Sequence, residues 1–187
     1  MARKEAVTED EILNTAFVMT REAGEEALTA RKVAARAGCS TQPIFRIYRN
    51  MEELTERVFL KAADFFLDYY SLYPRLGKMP FTNLGMAYIS FSKKEEHLFR
   101  LLFGKAGRYG KSMYELLNGP DGNVVYEIQN AARCGCRDAQ TLFVRMWIMI
   151  QGIASMTISG EIFRRKRHGS FWMKLVRPLW EGWEING

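Results

Sequence analysis

The chain has 187 residues, 48% of them hydrophobic and 26% charged, with a net charge of +6 at pH 7. These proportions are ordinary for a soluble globular protein, and the length allows one large domain or two small ones, each able to bury a core. No apolar run suits a membrane span, and the opening MARKEAVTEDE turns acidic before any apolar core, so no signal peptide is expected. The basic balance is compatible with a nucleic-acid partner without establishing one. Three cysteines is an odd number, and Cys134 and Cys136 are too close for a comfortable bridge, so free thiols in a reducing cytoplasm are expected.

Thr8-Glu9-Asp10-Glu11 reads as a capping box, with a threonine at N-cap and a glutamate three residues on. Ile12, Leu13, Ala16, Phe17 and Ala23 then mark the apolar stripe of a helix ending near Gly24. Residues 27–51, ALTARKVAARAGCSTQPIFRIYRNM, read as two short helices around a tight turn. Thr29 serves as N-cap, Ala30 to Ala37 form the first helix, and Gly38 supplies the left-handed residue that ends it. Ser40 is expected to cap the second helix, with Thr41, Gln42 and Pro43 in its first turn, where a proline is tolerated. Ile44 and Tyr48, four apart, face inward, which leaves Thr41, Gln42, Phe45, Arg46 and Arg49 for the outside. The same stretch carries Arg31, Lys32, Arg36, Arg46 and Arg49 and no acidic residue. A helix-turn-helix with a local surface suited to phosphates is the reading, against a bland helical hairpin with a solvated basic face.

From Thr8 to about Phe59, with LTARKVAARAGCS and the closing RNMEEL, the sequence resembles the DNA-binding domain of the tetracycline-repressor (TetR) family. The resemblance implies an all-α protein: a three-helix helix-turn-helix DNA-binding domain at residues 1–50, followed by a helical ligand-binding and dimerisation domain at 51–187. Double-stranded operator DNA and a second copy of the chain are the implied partners, and repression is the family's usual role. Phe45 stands where the family usually has tyrosine and Met51 where it has lysine. These two departures sustain an alternative, a helical ligand-binding or scaffold dimer that has lost specific DNA binding. For DNA contact the residues singled out are Thr29, Arg31, Ser40, Thr41, Gln42, Phe45, Arg46 and Arg49. Thr29, Arg31, Ser40 and Thr41 suit phosphates near helix starts, and Gln42 and Arg46 carry donors suited to base edges.

Asn50 and Glu53 form a second box, opening a helix that continues to Tyr73 with Leu54, Val58, Phe59, Ala62, Phe65, Phe66 and Tyr69 inward. Further helices are expected at Phe81 to Lys94, Glu95 to Lys105, Ser112 to Asn118, Gly122 to Gly135, Arg137 to Ser159 and Ser170 to Glu184. Gly-rich breaks at Gly104 to Gly110 and Gly119 to Gly122 separate them. Leu142 to Ile158 is the most apolar segment, and its interruptions by Arg145, Gln151 and Gly152 count against a bilayer span. Paired with the Trp172 to Trp183 stripe, it suits a dimer seam of the kind the resembled family uses. Trp147, Gln151 and Gly152 also resemble a Trp-x-x-x-His-Gly element of one group of that family, with Gln151 replacing the histidine. Phe91, Phe99, Phe103, Met146, Trp147 and Ile150 are candidates to line a site for an apolar effector; at helical spacing they suit a plain core equally.

Nothing in the sequence forms a catalytic or cofactor pattern. His97 and His168 stand apart, Cys134-Gly135-Cys136 lacks companion ligands, and there is no phosphate loop or dinucleotide fingerprint. Cys39 reads as a small packed residue, and the basic run Arg164 to His168 as a solvated loop. A non-enzymatic cytoplasmic regulator with no metal or cofactor is the expectation.

Overall fold

The computed structural model describes residues 7–75 and 80–161. Among the described residues every regular element is helical, and no strand occurs. The architecture is all-α, with an N-terminal helix-turn-helix followed by a helical body. Chain contacts divide it into two compact units. The first takes residues 7–66 and 95–112 of those described, the second 67–75, 80–94 and 113–161. The boundary expected at residue 50 divides the chain by role, whereas these units divide it by packing.

The first unit opens with α1 (Glu9–Ala23). Its capping box is reciprocal: Thr8 Oγ1 accepts from the Glu11 N–H at 3.2 Å, and Glu11 Oε2 accepts from the Thr8 N–H at 2.8 Å. Ile12, Ala16 and Phe17 are buried as the spacing requires, but the stripe continues through Met19 and Thr20, leaving Ala23 exposed. The Thr20 hydroxyl is satisfied inside the helix by the Ala16 carbonyl at 3.0 Å, which removes the cost of burying it. A 3₁₀ turn (Glu25–Ala27) leads to α2 (Ala30–Arg36) and α3 (Gln42–Ile47).

The next helix, α4 (Met51–Leu72), is about 33 Å long at 1.5 Å per residue and passes out of the first unit after Phe66. Leu54, Val58, Phe59, Ala62 and Phe66 are buried along it. Later in the chain, α6 (Glu96–Phe103) and a 3₁₀ turn (Arg108–Gly110) return to the first unit, where α6 packs on α1. Leu98, Phe99, Leu101, Leu102 and Phe103 are all buried. Phe66 and Phe103 meet edge to face at 5.3 Å, and Phe99 stands 5.2 Å from Phe103.

The second unit is built on α5 (Thr82–Lys94), α7 (Met113–Asn118), α8 (Asn123–Arg133) and α9 (Ala139–Ile158). α9 lies against α5, and α8 against both α7 and α9. Gly135, with φ +94°, ends α8 in a left-handed turn: its N–H and that of Cys136 reach back to the carbonyls of Ala132 and Ala131. Cys134 and Cys136 flank this turn as free thiols. Among the described residues α9 is the one helix long and apolar enough to cross a membrane by length and composition. Its buried face, Ala139, Leu142, Met146, Ile150, Ile153 and Ala154, is that of a helix packed within the unit. The expected helix Ser170–Glu184 and the run Arg164–His168 lie outside the described residues.

Candidate nucleic-acid interface

α2 starts where the Thr29 side chain accepts from the Lys32 N–H at 3.3 Å. It ends in a Schellman turn, with Gly38 at φ +68° donating to Ala35 O and Cys39 donating to Ala34 O at 3.0 Å. A side chain at residue 38 would be strained in that left-handed backbone, so glycine fixes the angle at which the chain enters α3. Val33 and Ala34 of α2 are buried, as are Ile44 of α3 and Tyr48 beyond it. The second helix begins one residue later than its sequence indicates. Thr41, not Ser40, precedes its first turn, with φ −72° and ψ −17° and no side-chain cap bond. The helical angles of Thr41 account for the missing cap bond, since its hydroxyl is not placed as that of an extended N-cap residue would be.

This packing puts Thr29, Arg31, Ser40, Gln42, Phe45, Arg46 and Arg49 on the exposed side and leaves Thr41 half-buried. Phe45, 51% exposed, is an apolar ring presented to solvent beside Arg46. The stretch is acid-free in sequence but not in space. Arg36 forms a two-pronged pair with Glu22 of α1, at 2.5 and 2.9 Å. Glu53 accepts from both the Arg49 N–H at 2.7 Å and Arg49 Nε at 3.2 Å. The second capping box is therefore half formed: Asn50 Oδ1 accepts from the Glu53 N–H at 2.9 Å, while the Glu53 carboxylate turns to Arg49. These guanidinium and backbone bonds hold the Glu22 and Glu53 carboxyls below the usual carboxylate range. Sequence reasoning missed both pairings. The i,i+4 spacing of Arg49 and Glu53 was a readable signal; nothing local links Arg36 to Glu22.

The six residues singled out for an effector fall into both units. Phe99 and Phe103 pack in the first. Phe91, Met146 and Ile150 are buried in the second, where Trp147 is half-buried. Around Trp147 the rings form a connected cluster. Tyr88 meets it edge to face at 4.7 Å, and Phe143 is stacked at 6.1 Å. Its indole N–H points to Met113 Sδ at 2.7 Å. Gln151 Oε1 accepts from the buried Tyr88 hydroxyl at 2.5 Å. In this chain, then, the glutamine of the Trp147–Gln151–Gly152 element satisfies a buried phenol, which burial pushes far above its ordinary pKa.

Among solved structures, the chain is similar to a transcriptional regulator from Rhodococcus sp. Rha1. The two are 20% identical with a TM-score of 0.55, and the match covers 81% of this chain and 84% of that one. At that identity the likeness is one of fold. No protein-family model matches the sequence, and no curated protein matches it.

Proposed function

We propose that the protein is a DNA-binding transcription regulator of the TetR type, acting as a homodimeric repressor in the cytoplasm. Residues 1–50 read operator DNA, and residues 51–187 dimerise and bind a small apolar effector. The observation that carries this is the helix-turn-helix itself: a buried face through Val33, Ala34, Ile44 and Tyr48 turns Gln42, Phe45 and Arg46 outward together on one short helix. Gln42 suits adenine, Arg46 suits guanine, and Phe45 packs on a thymine methyl or the sugar wall. Thr29, Arg31, Ser40, Thr41 and Arg49 meet phosphates. The similar fold of a known transcriptional regulator supports the reading.

Two recognition helices must stand about 34–36 Å apart to enter successive major grooves. An effector that prefers another spacing lowers DNA affinity by no more than its differential affinity for the two states. Phe91, Met146, Trp147 and Ile150, all in the second unit, are the residues proposed for it. For the dimer seam we propose the outer face of α9, where Val144, Ile148 and Met156 are 53%, 68% and 39% exposed. Ile148→Asp should convert the dimer to monomer in sedimentation at micromolar concentration; a wild-type monomer there overturns the seam.

Selection of bound duplexes from a random pool tests DNA reading. Arg46→Ala should cost about 1–3 kcal/mol and relax preference at one base pair per half-site. Arg31→Ala should weaken all sequences alike and flatten the salt dependence. No change in either variant overturns the assignment. A second reading, a helical dimer that no longer reads DNA, draws on the engagement of Arg36 and Arg49 by carboxylates. It predicts no enrichment at all in the selection.

A further inference from the structure

Two acidic clusters border the stretch proposed to meet DNA. Glu25 lies four residues before Thr29, and Glu52 sits in the first turn of α4, three residues after Arg49. Free carboxylates there would repel phosphates within a Debye length, about 8–10 Å at physiological salt. Neither carboxylate is free. Arg108, 83 residues along the chain from Glu25, closes a two-pronged pair on it: Nη1 donates to Oε1 at 2.8 Å, and Nη2 donates to Oε2. The Tyr109 hydroxyl donates to Glu52 Oε1 at 2.6 Å.

The segment that delivers these two side chains is shaped for the purpose at a cost. Tyr109 has φ +49° and ψ +34°, a left-handed conformation that a non-glycine residue adopts only when its surroundings impose it. Its ring is held edge to face on buried Phe59 at 5.1 Å, and the Arg108 guanidinium lies over the ring at 5.1 Å. Reversing the turn to relieve Tyr109 would withdraw both donors from the carboxylates. The Arg108 bonds lower the Glu25 carboxyl below its ordinary value, so Glu25 is held ionised and paired.

We infer that Arg108 and Tyr109 are positioning residues of the DNA-reading head: they engage Glu25 and Glu52 so that these two carboxylates do not compete with phosphates for Thr29, Arg31 and Arg46. This inference rests on the DNA-reading proposal and adds two residues that lie far from the helix-turn-helix in sequence. Tyr109→Phe is the sharper probe, because it removes one hydroxyl without changing net charge.

The experiment measures binding of the full-length protein to a labelled duplex recovered from the random-pool selection and to a mixed-sequence duplex, at low and high salt. Thermal unfolding is followed in parallel. Tyr109→Phe and Arg108→Gln should each weaken binding to both duplexes by about three- to tenfold at low salt, and less at high salt. Sequence preference should stay unchanged. The second changes, Glu52→Gln in the Tyr109→Phe protein and Glu25→Gln in the Arg108→Gln protein, should restore affinity, since they remove the carboxylates the first changes released. Weakening that the second changes do not restore means that Arg108 and Tyr109 only brace the fold, and overturns the inference. Full affinity in a folded Tyr109→Phe protein overturns it too. A wild-type protein that binds neither duplex defeats the DNA-reading proposal and the inference with it.

Discussion

The two units close their chains by different chemistry. In the first, partners far apart in sequence are joined at the rim by charge: Arg21 with Glu95, Arg108 with Glu25 and Tyr109 with Glu52. In the second, the joins are rings, with Tyr69 on Phe91 at 5.3 Å, Tyr88 on Trp147 and Phe81 near Phe143, and one buried carboxylate, Glu127. In the first, the Arg21 side chain is 46% exposed and Arg108 and Glu25 keep some exposure, so salt and solvent reach these contacts. In the second, Phe81, Tyr88 and Phe91 are buried, and Tyr69, Phe143 and Trp147 are half-buried. Screened, directional pairs respond to the ionic surroundings, whereas the packing of buried rings does so far less.

The largest effect should come from emptying the second unit. Phe91 has no exposed surface, and Phe91→Ala should cost about 3–5 kcal/mol. Hydrogen exchange in α5 and α9 should accelerate to the same degree at low and high salt. A loss that varied strongly with salt would erase the contrast between the units.

Breaking a rim pair of the first unit should cost less and depend on salt. Arg21 donates through Nε and Nη2 to Glu95 at 2.7 and 2.5 Å and lies over the Phe65 ring at 5.0 Å. Glu95 is buried, while the Arg21 side chain is 46% exposed. Arg21→Met leaves that carboxylate without its fork, at about 1–3 kcal/mol, reduced from the cost of a fully buried pair by the solvent that reaches the arginine. Exchange should quicken in α1 and α6, and the difference from wild type should shrink in 1 M salt. Equal loss at both salts would show that the arginine matters as packing on Phe65 and not as a charge.

How much of this could be read beforehand follows from the range of each signal. Thr8, Thr29 and Gly38 act on backbone within five residues, and the structure uses each as its sequence context indicates. The inward turn of Ile44 and Tyr48, and with it the outward turn of Gln42 and Arg46, follows from helical spacing alone. Spacing says that Phe99 and Phe103 are buried but not against which partner. Phe99 and Phe103 fall in the first unit, and Phe91, Met146, Trp147 and Ile150 in the second, a division that spacing does not announce. Residues 104–110 read as a glycine-rich break. Their role in engaging Glu25 and Glu52 depends on pairings over 83 and 57 positions and on a left-handed tyrosine, which no local pattern announces.

The smallest effect concerns Glu127, and its sign separates the two units most directly. Glu127 is 3% exposed on α8, and its Oε2 accepts from the Phe81 N–H at 2.7 Å. Phe81, at φ +62°, is itself a buried left-handed residue just before α5. Arg75 donates to the Tyr70 hydroxyl at 3.2 Å and lies 5.2 Å from that ring. Burial raises the Glu127 pKa above 4.5, more than the Phe81 N–H, Arg75 and Tyr70 together lower it. A folded value above the unfolded one means that the native state holds more protons between the two. The contribution to stability is therefore complete below about pH 4.5 and is lost as pH rises through the folded value. At neutral pH the ionised carboxylate is a cost. Glu127→Gln keeps an oxygen to accept the Phe81 N–H and removes the charge. It should leave stability near pH 4 unchanged, raise it modestly at pH 7, and flatten the slope between, as read by urea unfolding at each pH. Glu25 carries the opposite sign, since its pKa is lowered by Arg108 and its contribution is lost as pH falls. If Glu127→Gln lowers stability at pH 7, then Arg75 and Tyr70 compensate the buried charge more fully than its burial penalises it, and the second unit too depends on an ionic contact.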